Sequence, residues 1–70
     1  MNIQRLFGNN VKKNREAKNW SQDLLSDKSS LHRTYISGIE RGIRNPTIEI
    51  VERLASALDI PVSELFKDPQ

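Results

Sequence analysis

Residues 21–42 read SQDLLSDKSSLHRTYISGIERG, and the punctuation of this stretch decides the fold. Ser21 is a good N-cap, and Gln22 and Asp23 sit in the first turn of a helix. Leu24 and Leu25 carry the pattern to about Lys28, where Ser29-Ser30 breaks it. A second helix is predicted over 33–40, with Ile36 and Ile39 three residues apart and facing inward. Leu31 and Tyr35 are candidates for the same face. Gly42 stops the helix as a C-terminal glycine. Two short helices joined by a three- to four-residue turn make a helix-turn-helix.

Upstream, residues 3–18 read as a helix. Ile3, Leu6, Phe7, Val11 and Ala17 fall largely on one stripe, and Lys and Arg fill much of the rest. Asn19 follows the last turn, where a left-handed residue is wanted. Downstream, Thr47 caps the best-marked helix, with Glu49 at the positive end of its dipole. Ile48, Val51, Leu54, Ala55 and Leu58 form its apolar face, and Asp59-Ile60-Pro61 ends it. A last turn over 63–67 brings Leu65 and Phe66 to the core. No segment alternates with period two over a useful length. The predicted fold is all-α, a compact five-helix bundle in a single domain over 1–70 with its core in 3–66.

Composition excludes several classes. In 70 residues, 36% apolar, there is material for one small core. One histidine and no cysteine leave no zinc site of the usual ligand count and no disulfide. No stretch is long and apolar enough for a membrane span, and MNIQRLFGNNVKK holds no signal-peptide core, so a cytoplasmic location is expected. The net charge of +2 is unevenly spread: residues 1–45 hold nine Lys/Arg and four Asp/Glu, residues 46–70 two and five. Such polarity fits one surface that meets a polyanion, although mixed surface charge on a helical domain is the plainer explanation.

A helix-turn-helix supplies that surface. Its first helix braces across the DNA backbone, with its N-terminal amides and a cap side chain such as that of Ser21 near phosphate. Its second enters the major groove, the only groove wide enough for a helix. The residues at the start of that helix, His32, Arg33 and Thr34, with Ser37 one turn later, are those expected at the DNA. Arg33 can pair with guanine O6 and N7 in bidentate fashion. His32 sits at the N-cap, where capping or a phosphate contact fits better than catalysis or metal binding. Trp20 follows the first helix, where an apolar residue closes the core; a stacking platform for a base is the alternative reading.

The string from Ser21 to Phe66 resembles the Cro/cI-type, or XRE-type, helix-turn-helix regulators of bacteria and phages, which are lambda-repressor-like in fold. The resemblance covers roughly residues 5–66 and is carried by Ser21-Gln22, by Tyr35-Ile36-Ser37-Gly38-Ile39-Glu40-Arg41-Gly42 and by Arg44-Asn45-Pro46-Thr47. Within the family, RTYISGIER looks most like the controller proteins of restriction–modification systems. The resemblance implies that Gln22 holds a phosphate, that Arg33, Thr34 and Ser37 face bases, and that Tyr35 lies at the groove edge or on the backbone. It further implies that Arg41, Arg44 and Asn45 grip the backbone, and that Arg15 and Glu40 form a largely buried salt bridge. The chain departs from the family pattern at four positions. Ser26 replaces a small alanine, and Ser30 replaces a turn glycine, so that the turn either avoids positive φ or carries strain. Asn14 stands at an apolar position and needs a partner or solvent, and Gly38 puts no side chain at a frequent base-reading position.

Ile50 is out of phase with Ile48, Val51, Leu54 and Leu58 and is expected to face outward. With Val62 and Phe66 it is a candidate two-fold interface, and a dimer would read a palindrome. The expected partners are therefore double-stranded DNA and a second copy of the chain, with RNA polymerase as a further candidate. No cofactor, small-molecule ligand or membrane partner is expected. No nucleophile–base pair, paired acid or cofactor loop points to an enzyme. An antitoxin or another protein-interaction module on the same helical fold is the competing class.

Overall fold

A computed structural model describes residues 2–68. Four α-helices follow one another: α1 (Ile3–Ala17), α2 (Gln22–Ser29), α3 (Arg33–Glu40) and α4 (Ile48–Leu58). The fifth element expected from the sequence is one stretch of 3₁₀ helix, Val62–Phe66. The five-helix count is thus corrected to four α-helices and a 3₁₀ turn. Five residues between Pro61 and Lys67 leave no room for a stable α-helix, and the tighter 3₁₀ form is the usual outcome for so short a piece.

Local chemistry sets the boundaries. The side chains of Asn2, Ser21 and Thr47 accept from the backbone N–H groups of Arg5, Leu24 and Ile50 at 3.1, 3.0 and 3.2 Å. Each satisfies one of the donors that a helix N-terminus leaves open. Three non-glycine residues lie in the left-handed region: Asn19 at φ 60°, Ser30 at φ 60° and Asp59 at φ 57°. Asn19 behaves as its type predicts.

Ser30 settles the alternative left open above, because the turn does need positive φ and a serine carries it. Two neighbouring hydroxyls stitch the turn around it. Ser26 Oγ donates to the Leu31 carbonyl across the turn. Ser29 Oγ donates to the Leu25 carbonyl at 2.7 Å and accepts from Leu31 N at 3.3 Å. The hydroxyl at Ser26 therefore does what an alanine there could not.

The core is a single cluster of Phe7, Val11, Leu25, Leu31, Ile36, Ile39, Leu54, Ala55, Leu58 and Leu65, drawn from every element and from the α2–α3 turn. Helix α1 packs chiefly on α3 and on the 3₁₀ helix, and α4 packs on α2. Gly8 makes the first contact possible. A Cβ there would collide with the carbonyl oxygen of Ile39, so the two backbones meet with nothing between them.

Several expected core positions are corrected. Ile3 and Ala17, at the two ends of α1, are exposed, because the stripe of a helix is covered only along the length of its neighbours. The roles of Ile48 and Ile50 are exchanged. Ile48 is 87% exposed, whereas Ile50 is half-buried and packs against the core. The two flank the Val51-Leu54-Ala55-Leu58 stripe on opposite sides, so periodicity does not separate them. Ile50 stands one turn before buried Leu54, and Ile48 is the first residue of its helix. Phe66 is partly open and stacks on Phe7, with ring centroids 5.3 Å apart.

Candidate nucleic-acid interface

The platform is a buried ion pair. Arg15 on α1 meets Glu40 at the end of α3 through two bonds, Nε to Oε2 at 2.7 Å and Nη2 to Oε1 at 3.0 Å. Its remaining nitrogen, Nη1, donates to the Trp20 carbonyl at 2.7 Å. Gln22, the first residue of α2, donates from Nε2 to Glu40 Oε1 at 3.0 Å. One carboxylate thus ties α1, the start of α2 and the end of α3 together. Hydrogen bonds to the Glu40 carboxylate raise the Arg15 pKa above its usual value, against the opposing pull of burial. The pair expected from the family resemblance is present. Gln22 is also fixed. One N–H of its amide is committed to Glu40, and the other is left for an external acceptor.

The first turn of α3 carries the exposed polar side chains. His32 caps it: Nδ1 accepts from Thr34 N at 3.1 Å. An accepting Nδ1 puts the proton of the neutral ring on Nε2, which makes His32 a cap on one side and a donor on the other. Arg33 and Thr34 are exposed, and Ser37, one turn on, is half-buried. Arg33 is not free: its Nε lies 3.2 Å from Asp23 Oδ1 on α2.

Gly38 is buried without a side chain of its own, because Arg44 lies across it. A Cβ at Gly38 would sit 2.8 Å from Arg44 Cγ. The guanidinium carbon of Arg44 lies 5.4 Å from the centre of the Tyr35 ring, within cation–π range. Tyr35 is half-buried and packs against the core. Arg44 therefore rests on the outer face of α3 and not beyond its end. Arg41 is exposed, with Nε 3.4 Å from the Ser37 carbonyl, and Asn45 is exposed in the loop before α4. Arg33, Thr34 and Ser37 thus share one face of α3, with Arg44 lying over Gly38 beside it and Tyr35 at the far edge, next to the core.

Trp20 packs against the core as predicted. Lys18 and Lys28 place their ammonium groups 5.2 and 5.5 Å from its ring centre. Asn14 donates to the Asn10 carbonyl at 2.8 Å, which answers its need for a partner. Of the candidate two-fold interface, Val62 and Phe66 are 41% and 38% exposed. Ile50 is half-buried against the core, and Ile48 is the more exposed isoleucine of α4.

Sequence reasoning missed Asn10, which is buried and donates from Nδ2 to the Leu65 carbonyl at 3.1 Å and the Lys67 carbonyl at 2.9 Å. A polar residue set between Phe7 and Val11 was the available signal. Among the described residues, every buried side-chain nitrogen or oxygen has a hydrogen-bond partner. No helix among them is long and apolar enough to cross a membrane.

The helix-turn-helix family model HTH_3 matches residues 11–65. The chain belongs to the HTH_3 helix-turn-helix family. Within that family it is 45% identical over 66 residues to the control protein C.BamHI of Bacillus amyloliquefaciens, covering 93% of this chain and 82% of that protein. Its fold is similar to the crystal structure of the restriction–modification controller protein C.AhdI of Aeromonas hydrophila. The TM-score is 0.87 at 43% identity, over 90% of this chain and 96% of that one. A second structural neighbour is the restriction–modification controller protein C.Esp1396I, solved as a tetramer in complex with its natural 35 base-pair operator. It matches with a TM-score of 0.81 at 36% identity, over 93% of this chain and 96% of that chain.

Proposed function

We propose that this chain is a sequence-specific double-stranded DNA-binding transcriptional regulator that controls a restriction–modification system. The observation that carries the reading is the exposed first turn of α3, with Arg33 and Thr34 outward, on a helix whose far end is locked by the Arg15–Glu40 pair. The operator complex of C.Esp1396I supports it. Arg33, Thr34 and Ser37 read base edges in the major groove. Ser21, Gln22, His32, Tyr35, Arg41, Arg44 and Asn45 hold the backbone. The protein acts as a binding unit and not as an enzyme, at the nucleoid in the cytoplasm.

One recognition helix reads few base pairs, so the working form is a homodimer on a palindrome, its half-sites about 34 Å apart. Val62 and Phe66, both partly exposed, with Ile50 beside the core, are the candidate face for the second copy. RNA polymerase is the partner that an operator beside a promoter brings next to the bound dimer.

The test is selection from a random double-stranded DNA pool at moderate salt, followed by sequencing of the retained duplexes. An enriched inverted repeat is the expected result. A pool that emerges unenriched would overturn the reading.

A further inference from the structure

Asp23 stands in the first turn of α2, and Arg33 opens α3. Their contact, Arg33 Nε to Asp23 Oδ1 at 3.2 Å, joins two largely open side chains, 59% and 79% exposed. An ion pair so exposed adds little to the stability of a fold. Its consequence lies in what it does to the guanidinium. A guanidinium offers two double-donor edges to a flat acceptor pair: the side edge, made of Nε and one Nη, and the end edge, made of both Nη groups. Asp23 occupies the Nε side. The end edge is left free to meet the O6 and N7 of guanine. A long side chain that would otherwise sample many rotamers is thus biased toward one orientation before any base arrives.

The carboxylate also sets a penalty. Where guanine lies opposite, Arg33 makes its base contact and keeps Asp23 as a partner. Adenine offers only N7, thymine only O4 and cytosine no acceptor, so where another base lies there Arg33 makes at most one base bond and gains more only by swinging to a phosphate. That leaves Asp23 as an unpaired negative charge at the surface of a polyanion. Discrimination is a difference between two complexes, and this arrangement weakens the wrong one while it steadies the right one.

On the reading that α3 enters the major groove, we infer that Asp23 is a specificity-determining residue of the interface. It positions Arg33 for a guanine and disfavours every other base at that place. It is a positioning residue, because it acts through Arg33 and touches no base itself.

The experiment uses the full chain with Asp23→Asn, Arg33→Ala and the double variant. Each is titrated at one salt concentration against the selected duplex, against duplexes with single base changes, and against an unrelated duplex. The base that Arg33 reads is the one whose preference disappears in Arg33→Ala. In Asp23→Asn, binding to the unrelated duplex tightens severalfold while the preference at that one base falls about tenfold, within the range a bidentate arginine–guanine pair supplies. The thermal midpoint stays unchanged, and in the Arg33→Ala background Asp23→Asn no longer alters any base preference. Three results would overturn the inference: tighter binding to all duplexes by one common factor, the same change of preference without Arg33, or no base preference lost in Arg33→Ala. Wild-type protein that distinguishes no duplexes at all would instead overturn the DNA-reading function itself.

Discussion

The stem of Arg44 fills the space above Gly38, where a Cβ would lie 2.8 Å from Arg44 Cγ. Stability and binding should therefore part company in Gly38→Ala. Alanine is the better helix former by up to about 1 kcal/mol, so the melting temperature should hold or rise. Arg44 must leave its seat on Gly38 and Tyr35, and operator affinity should fall about tenfold, the equivalent of roughly 1.4 kcal/mol. Fluorescence anisotropy on an operator duplex reads the second effect. Undiminished affinity would show that the seat of Arg44 is irrelevant to DNA.

Glu40→Ala leaves Arg15 buried without its carboxylate and frees Gln22. Loss of one partner of a buried pair costs about 3–5 kcal/mol, a large share of the stability of a domain this small. Urea unfolding should show a lower midpoint at an unchanged slope. The base preference of the folded fraction should persist, since none of the residues proposed to read bases is touched. An unshifted midpoint would mean that the Arg15–Glu40 bonds contribute nothing.

Asn10→Ala removes the two bonds to the carbonyls of Leu65 and Lys67, at about 1–3 kcal/mol for acceptors left unsatisfied. Asn10→Asp should be worse than alanine at neutral pH, because a carboxylate would face two carbonyl oxygens. Protonation restores one donor, so the gap between the two variants should close as the pH is lowered. Parallel pH curves for both variants would contradict this account.

Ser30→Gly should stabilise the protein. A left-handed serine carries about 1–2 kcal/mol of strain, and part of the relief is offset by the greater freedom of glycine in the unfolded chain. The expected net gain is about 0.5–1 kcal/mol by thermal melting, with DNA affinity unaltered. A lower melting temperature would mean that the hydroxyls of Ser26 and Ser29 have already removed the strain.

The two faces of α4 and the 3₁₀ helix can be separated by a pair of variants. Val62→Glu should leave the protomer fold intact and shift sedimentation at tens of micromolar from dimer to monomer, since a charge is introduced into the proposed interface core. Ile50→Ala should lower protomer stability by about 1–3 kcal/mol, the range of partly filled core sites, and leave assembly in proportion to the folded fraction. The reverse assignment of effects would assign Ile50 to the interface.

What was legible in the sequence was local. Ser21, Thr47 and His32 cap their helices because the acceptor and the N–H it satisfies lie two or three residues apart. Asn19 takes the left-handed position for reasons of its own side chain. The roles of Ile48 and Ile50 were not legible, because angle around α4 places both at the edge of the stripe, and only the neighbouring elements decide which edge is covered. Asn10 was illegible for a related reason: its partners lie 55 and 57 residues away. At the candidate site the residue types were readable, but two relationships were not. Neither the grip of Asp23 on Arg33 nor the passage of Arg44 over Gly38 has a spacing rule that announces it.

The separation between Asn10 and Leu65 also has a kinetic meaning. Helices α2 and α3 are neighbours in the chain and close on each other at little entropic cost. The seam between α1 and the 3₁₀ helix closes nearly the whole chain and returns its free energy only after that long loop is ordered. During synthesis, Phe7 and Val11 have no complete cover until residue 65 has left the ribosome. Helices α2 and α3 are therefore made early and held rigid late. Asn10→Ala should accordingly speed unfolding and leave the refolding rate almost untouched, as expected of a contact absent from the transition state. Stopped-flow chevrons would distinguish this from a seam that nucleates the fold.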